Sequence, residues 1–346
     1  MSKCGKSFYI KVSFSVRCFV SGAYNKMGKD NELVAAEAKL LLESRKIVPP
    51  LTQKSYKGQA GRIGVIGGSL EYTGAPYFSA ISALKVGCDL SHVFCPKDAA
   101  IVIKSYSPEL IVHPVLDAKD AVEQIKPWIP RLHALVIGPG LGKEPSAIEI
   151  VSDIINLCRT GDSEYQKPLV IDADGLFMIT QNPEVIRNYP HGAILTPNAI
   201  EFSRLAKVIL QEDWAATPEP AMENVKRLAV ALGPNIIVLH KGKVDVIADG
   251  GSGSVWQCSG PGVGRRCGGQ GDLLSGSLGV FYTWALMASR KSDSKCQLPP
   301  GVIASYAGCR LTRECAVRAV ARAGRSTVAS DMIDEIHPAF ETLLGE

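Results

Sequence analysis

The sequence is missing the signatures of several large protein classes, and each absence narrows its reading. It has no uninterrupted apolar run of roughly 18 residues, so no membrane-spanning helix and no membrane partner are expected. Its ten cysteines contain no Cys-x-x-Cys pair, and no His-Glu-x-x-His occurs, so neither a zinc ribbon nor a zinc-protease helix is written into it. There is no Gly-x-x-x-x-Gly-Lys-Ser/Thr phosphate loop and no Gly-x-Gly-x-x-Gly dinucleotide fingerprint. Any phosphates the chain handles must be held in some other way.

Acids are absent from the first 29 residues, which carry Lys3, Lys6, Lys11, Arg17, Lys26 and Lys29. Beyond them 32 basic residues face 34 acidic ones, a net charge of −2, so the body of the chain offers no basic stripe for nucleic acid. Residues 1–30 read as a leader, with two readings open: an organelle transit peptide or a plain disordered start. They correspond to a mitochondrial and/or cytoplasmic location. Lys11 and Arg17 interrupt the apolar run from Phe8 to Val20, against a secretory signal. Scattered cysteines without such a signal fit free thiols in a reducing compartment.

What the sequence does contain is an alternation of short β-branched runs and longer helical ones. Strands are expected at Arg62–Gly67, Ser91–Cys95, Ala134–Gly138, Leu169–Asp172, Ala193–Thr196 and Ile236–His240. Helices are expected at Asn31–Arg45, Ala75–Gly87, Ser146–Arg159, Ala199–Val208, Pro218–Leu232, Gly271–Ser289 and Gly301–Ala323. Several strands are continuously apolar, as in a parallel sheet covered on both faces. Lys243–Ala248 and Ser254–Gln257 read as an antiparallel hairpin around Asp249-Gly250-Gly251-Ser252-Gly253. The expectation is one α/β domain over residues 31–346, with ligands at the carboxyl ends of its strands. Oligomeric state stays open, a homo-oligomer included.

The glycine-rich segments follow the strands directly. Gly262-Val263-Gly264-Arg265-Arg266-Cys267-Gly268-Gly269-Gln270-Gly271-Asp272 runs into a long apolar helix. Glycines let backbone N–H groups face a ligand, and a helix start adds unpaired N–H groups and a positive dipole end, together an anion hole for phosphate. Asp272 in the first turn has two readings of equal weight, a general base or a residue that complements the dipole. Cys267 is not read as a nucleophile, because the motif supplies no paired histidine.

Taken together, GGSxxYTGAP, GPGLG, DADGL, LTPNxxEFxRL, HKG and CGGQGDLLSG resemble the ATP-dependent NAD(P)H-hydrate dehydratase family over about residues 50–345. The resemblance implies a three-layer α/β/α ribokinase-like fold with a mostly parallel sheet. It implies a lyase that uses ATP and Mg²⁺ to phosphorylate the ring hydroxyl of hydrated NADH or NADPH, S form, after which phosphate leaves. Asp272 matches the catalytic base, and Gly268, Gly269, Gln270 and Gly271 match the anion hole. Gly262–Gly271 and Lys241, Gly242, Lys243, Val244 and Asp245 match the ATP-contacting segments. Tyr72, Thr73, Gly140, Gly142, Asn198, Ala199, Ile200, Glu201, Phe202, Ser203, Arg204 and Asp272 match the substrate segments.

Plainer roles remain beside these. Arg265 and Arg266 meet phosphates or are solvated surface charge; Lys243 and Asp245 serve ATP or form an exposed hairpin pair. Glu201 orients a metal-bound water or sits in a capping box with Asn198. Asp174 lies near the active site or caps a helix, and Tyr72 touches substrate or packs. Rival functions are a ribokinase-like kinase of a vitamin precursor or sugar alcohol, and a non-catalytic nucleotide sensor. An oxidoreductase would need the missing dinucleotide fingerprint.

Overall fold

The computed structural model describes residues 24–53, 56–214, 220–291 and 296–345. The leader reading for residues 1–23 lies outside them, as do the first residues of the helix expected from Pro218. The strands are β1 (Arg62–Ile66), β2 (Leu90–Cys95), β3 (Ile111–Pro114), β4 (Ala134–Ile137), β5 (Leu169–Ile171), β6 (Ala193–Leu195), β7 (Ile236–His240), β8 (Asp245–Asp249) and β9 (Val255–Cys258). They form one sheet in the order β3-β2-β1-β4-β5-β6-β7-β8-β9. The pairs from β3 to β7 are parallel, and β8 and β9 return antiparallel as the hairpin predicts.

The sequence explains the layers. Along β4, Ala134 and Val136 enter one apolar cluster and Leu135 and Ile137 the other; Val170 opposes Leu169 and Ile171 in the same way on β5. Strands apolar at every position can bury both faces, and here helices cover both. On one side lie the helices Gly74–Val86, Gln270–Ser289 and Pro300–Ala323; on the other Pro145–Thr160, Ala199–Ile209 and Met222–Leu232. The result is the expected α/β/α arrangement.

The sequence reading omitted β3 and the helices Lys97–Tyr106, Ala121–Ile125, Asp174–Gln181, Ala329–Asp334 and Ile336–Leu344. β3 is four residues long and ends in proline, a signal too short for periodicity to separate from a loop. The first helix also departs from expectation. It starts at Tyr24, inside the stretch assigned to the leader, and runs to Lys46. Its Glu37 carboxylate accepts from the Ser259 N–H at 2.7 Å and the Ser259 hydroxyl at 2.6 Å, so it holds the end of β9.

The helix Gln270–Ser289 is buried from Leu273 to Ala285 and packs closely on Gly74–Val86. Gly276 makes that approach feasible: a Cβ there would sit 1.9 Å from the Ser79 carbonyl oxygen. Gly276→Ala is therefore expected to cost about 1–3 kcal/mol through overpacking, read as a lower midpoint in urea denaturation with an unchanged slope.

Candidate active site

The parallel strands deliver their following residues to one edge, and backbone hydrogen bonds tie these residues to one another. Gly138 N donates to Ile66 O, Asp172 N to Ile137 O, Thr196 N to Ile171 O, and Lys241 N to Pro197 O. Asp172, after β5, is buried, and its Oδ1 accepts from Lys241 Nζ at 2.7 Å and Thr196 Oγ1 at 2.6 Å. The Lys241 ammonium also lies 3.8 Å from Glu201. Burial pulls its pKa down, but the charges of Asp172, Glu201 and Asp272 outweigh burial and hold it above the ordinary lysine range.

Beside this pair the helix Gln270–Ser289 begins. Its N-cap Gly269 has φ +88°, a left-handed conformation that only glycine adopts at low cost, and it leaves the first N–H groups uncapped by any side chain. A Cβ on Gly271 would stand 3.6 Å from Lys241 Nζ and 3.7 Å from Asp172 Oδ2, so the helix start and the ion pair share one spot. Asp272 is the third residue of the helix. Among the described residues its carboxylate accepts no hydrogen bond, which leaves the capping role without support. Burial raises its pKa to about 7; Asp172 and Asp174 add to the rise and Lys241 opposes it.

A cleft of about 1010 Å³ opens from this spot. Lys241, Gly242, Lys243, Val244, Asp245, Gly262, Val263, Gly264, Arg265, Arg266, Cys267, Gln270 and Gly271 all line it, whereas Gly268 and Gly269 lie outside its wall. Arg265 is partly committed to the loop, donating to Thr327 O at 3.2 Å and Arg266 O at 2.9 Å. Arg266 is exposed, with no partner for its guanidinium among the described residues. The Cys267 thiol is pushed up by burial, against any role as a nucleophile.

The exposed hairpin pair of Lys243 and Asp245 is corrected. Asp245 is buried and pairs with Arg313 Nε at 2.7 Å, while its other oxygen accepts from Gly242 N at 3.0 Å. Arg313 also donates to the carbonyls of Gly242 at 3.1 Å and Lys243 at 2.9 Å. One guanidinium thus ties the β7–β8 turn to the helix Pro300–Ala323. Sequence reasoning missed Arg313, along with Thr312, Cys309 and Ala316 on the same wall. The only signal was Arg310 and Arg313 three residues apart, following the apolar first half of their helix.

The residues matched to substrate divide into groups. The Tyr72–Thr73 loop packs on the Gly140 loop, where a Cβ on Gly140 would lie 2.8 Å from Tyr72 O; Tyr72 is 60% exposed, which sets aside its packing role. Gly142 N donates to Asp174 Oδ2 at 3.0 Å. Asp174 therefore ties two loops together and caps no helix N–H. Asn198 and Ala199 line the cleft, and Ile200 is exposed. Asn198 and Glu201 form a complete capping box, so Glu201 combines the structural role with its place near Lys241. Glu201 and Arg204 also line a small hollow with Asp174 and Phe177. Phe202 and Ser203 do not join the site. The Phe202 ring is buried edge-on to His240, and the Ser203 hydroxyl donates to Trp214 O at 2.5 Å.

Among the described residues no three His, Cys, Asp or Glu side chains converge as a metal cage. Asp172 Oδ1 is taken by Lys241 and Thr196, and Glu201 Oε2 by Asn198 N.

The nine-stranded, mostly parallel sheet covered by helices on both faces has a ribokinase-like fold. A ribokinase-like superfamily structure from Enterococcus faecalis superposes with TM-score 0.69 at 19% identity, covering 88% of this chain and 95% of the other. A family model described as NAD(P)H-hydrate dehydratase matches residues 63–338, and the chain belongs to that family. The ATP-dependent (S)-NAD(P)H-hydrate dehydratase of Bos taurus is 52% identical over 299 residues, 86% of this chain and 87% of the relative. That of Aedes aegypti is 51% identical over 304 residues, 88% and 85%. The ADP/ATP-dependent enzyme of Bacillus subtilis, co-crystallized with ATP/Mg²⁺, superposes with TM-score 0.63 at 21% identity, covering 88% and 97%.

Two predictions follow from the geometry. Between about pH 4, the ordinary carboxyl range, and pH 7, the folded chain keeps a proton on Asp272 that the unfolded chain has shed. Asp272 therefore takes away stability as pH rises through that window. Asp272→Asn should melt higher than wild type at pH 8 and close to it at pH 4, measured by calorimetry. Arg313→Ala should release the β7–β8 turn and raise KM for ATP about tenfold or more, with a smaller change in kcat.

Proposed function

We propose that the chain restores NADH and NADPH from their S-form hydrates at the expense of ATP. The observation that carries this reading is the free, raised-pKa carboxylate of Asp272 at an uncapped helix start, at one end of a nucleotide-sized cleft. A triphosphate lying along Gly262–Gly271 places its terminal phosphoryl group at that helix start. The N–H groups of Gln270 and Gly271 and the Lys241 ammonium then face the charge that develops on its oxygens.

The substrate hydroxyl, presented from the side of the Tyr72 and Gly140 loops, gives its proton to Asp272 as its oxygen bonds to phosphorus and ADP departs. A carboxyl with a pKa of about 7 is matched to that task, half-charged at neutral pH and able to hold the proton. The phosphate ester then breaks at its ring carbon, driven by the ring nitrogen lone pair, and loss of a neighbouring ring proton restores the double bond. Lys241 keeps Asp172 neutralised, which limits the repulsion around the base. Magnesium is proposed to arrive on the nucleotide's phosphates, in keeping with the lack of a protein cage.

The test is product analysis with purified chain, ATP and hydrated NADH. Equimolar NADH, ADP and free phosphate are expected; a stable phosphoester without NADH would instead mean a kinase. Asp272→Asn should lower kcat by about 10²–10⁴-fold while ATP still binds, followed by NADH absorbance and nucleotide titration. Normal turnover in that variant would refute the base assignment. The pH profile of kcat/KM should show an acid limb near the Asp272 pKa of about 7, and Asp172→Asn should move that limb down.

A further inference from the structure

A second cavity, of about 530 Å³, lies at the opposite edge of the sheet, where β5, β6 and β7 begin. Its wall includes Lys167 just before β5, Gly192 just before β6, Tyr282 and Arg290 from the far end of the Gln270–Ser289 helix region, and Gly301 at the start of Pro300–Ala323. None of these belongs to the nucleotide cleft.

Three observations give this cavity a sign. Lys167 is 9% exposed, and among the described residues its ammonium makes no hydrogen bond or ion pair. A buried cation is normally paired. Arg290, on the same wall, also has no partner for its guanidinium among the described residues. Burial lowers the Lys167 pKa, Cys158 and Glu164 oppose this, and Arg290 adds to the lowering, so the two cations feel each other across the space. Second, the 24-residue helix Pro300–Ala323 opens onto the cavity with no acid in its first turn; Pro299 and Pro300 carry no N–H, and the Val302 and Ile303 N–H groups donate to Pro299 O at 3.0 and 3.1 Å, so the Gly301 N–H is the donor left at this end. Third, the hydroxyl of buried Tyr282 stands against Gly192 and has no hydrogen-bond partner among the described residues, so it is a further donor. The one acid of the wall, Asp249, is already spent: its oxygens accept from Gly251 N at 3.1 Å, Ser252 N at 3.2 Å and the Ser252 hydroxyl at 2.7 Å.

Two unpaired cations, the Gly301 N–H and a phenol donor line a space larger than a phosphate ion. We propose that this cavity binds a phosphate dianion, either free or as the phosphoryl group of a small metabolite. Arg290 and Lys167 neutralise the charge, and the Gly301 N–H and the Tyr282 hydroxyl complete the oxygen contacts. Arg290 and Asp272 stand at opposite ends of one 20-residue helix, roughly 30 Å apart, so the anion does not touch the reacting groups. This inference is independent of the reaction assigned to the nucleotide cleft.

Calorimetric titration of the full chain with inorganic phosphate, and in parallel with glycerol 3-phosphate, at fixed ionic strength tests it. The nucleotide cleft offers phosphate contacts too, so the comparison that isolates this cavity is with Arg290→Gln and Lys167→Met, both remote from that cleft. Each variant should lose about tenfold or more in anion affinity. Tighter binding of glycerol 3-phosphate would point to a metabolite as the source, and tighter binding of phosphate to the free ion. Arg290 is exposed, so its variant remains informative if Lys167→Met does not fold. Unchanged affinity in Arg290→Gln would overturn the proposal, and a drop in stability alone would reduce Arg290 to a partner of the helix's negative end. A tungstate soak with an anomalous peak only in the nucleotide cleft would overturn it as well.

Discussion

The site depends on one ion pair placed among too many acids. Asp172, Asp174, Glu201 and Asp272 crowd the carboxyl edge of the sheet; the Lys241 ammonium opposes the rise in pKa at Glu201 and Asp272, and Lys143 opposes it at Asp174. Four carboxylates together repel, and the repulsion is relieved either by the ammonium or by a proton. Asp172 takes the ammonium, at 2.7 Å, and Thr196 besides. Asp174 and Glu201 are each tied to a backbone N–H. Asp272 has none of these hydrogen-bond partners; burial first, then the charges of Asp172 and Asp174, raise its pKa to about 7, while burial also raises Asp174 and Glu201. The proposed base is set apart as much by the saturation of its neighbours as by its own position.

Much of this was legible in the sequence because it is local. A continuous apolar run followed at once by glycines or Asx residues marks a buried parallel strand and its ligand-facing end, and that pattern located β1, β4, β5, β6 and β7 with their loops. The Asn198–Glu201 capping box was readable from spacing alone and is present in full. Contacts that join distant parts of the chain were not readable. Arg313 meets Asp245 across 68 residues, and no periodicity announces such a pair. The orientation of Phe202 was likewise hidden. It lies within a substrate-like motif, yet helix geometry turns its ring inward to His240 while Ile200 stays outside.

His240 shows how the core shapes the site without entering its chemistry. Its imidazole is buried with neither nitrogen hydrogen-bonded among the described residues, and burial lowers its pKa to about 4. It is therefore neutral at physiological pH and acts as a flat ring against Phe202. Between them the two rings fix the end of β7 relative to the Asn198 helix, and so fix Lys241, the next residue in the chain.

The contact between Glu37 and Ser259 links the beginning of the chain to nucleotide binding. Ser259 opens the glycine-rich loop that lines the cleft, and the carboxylate holding it comes from the first helix. A truncation before Tyr24 spares the whole of that helix, whereas one beyond Glu37 removes the group that anchors the loop, so the first helix is a strut of the cleft wall and not only of the core.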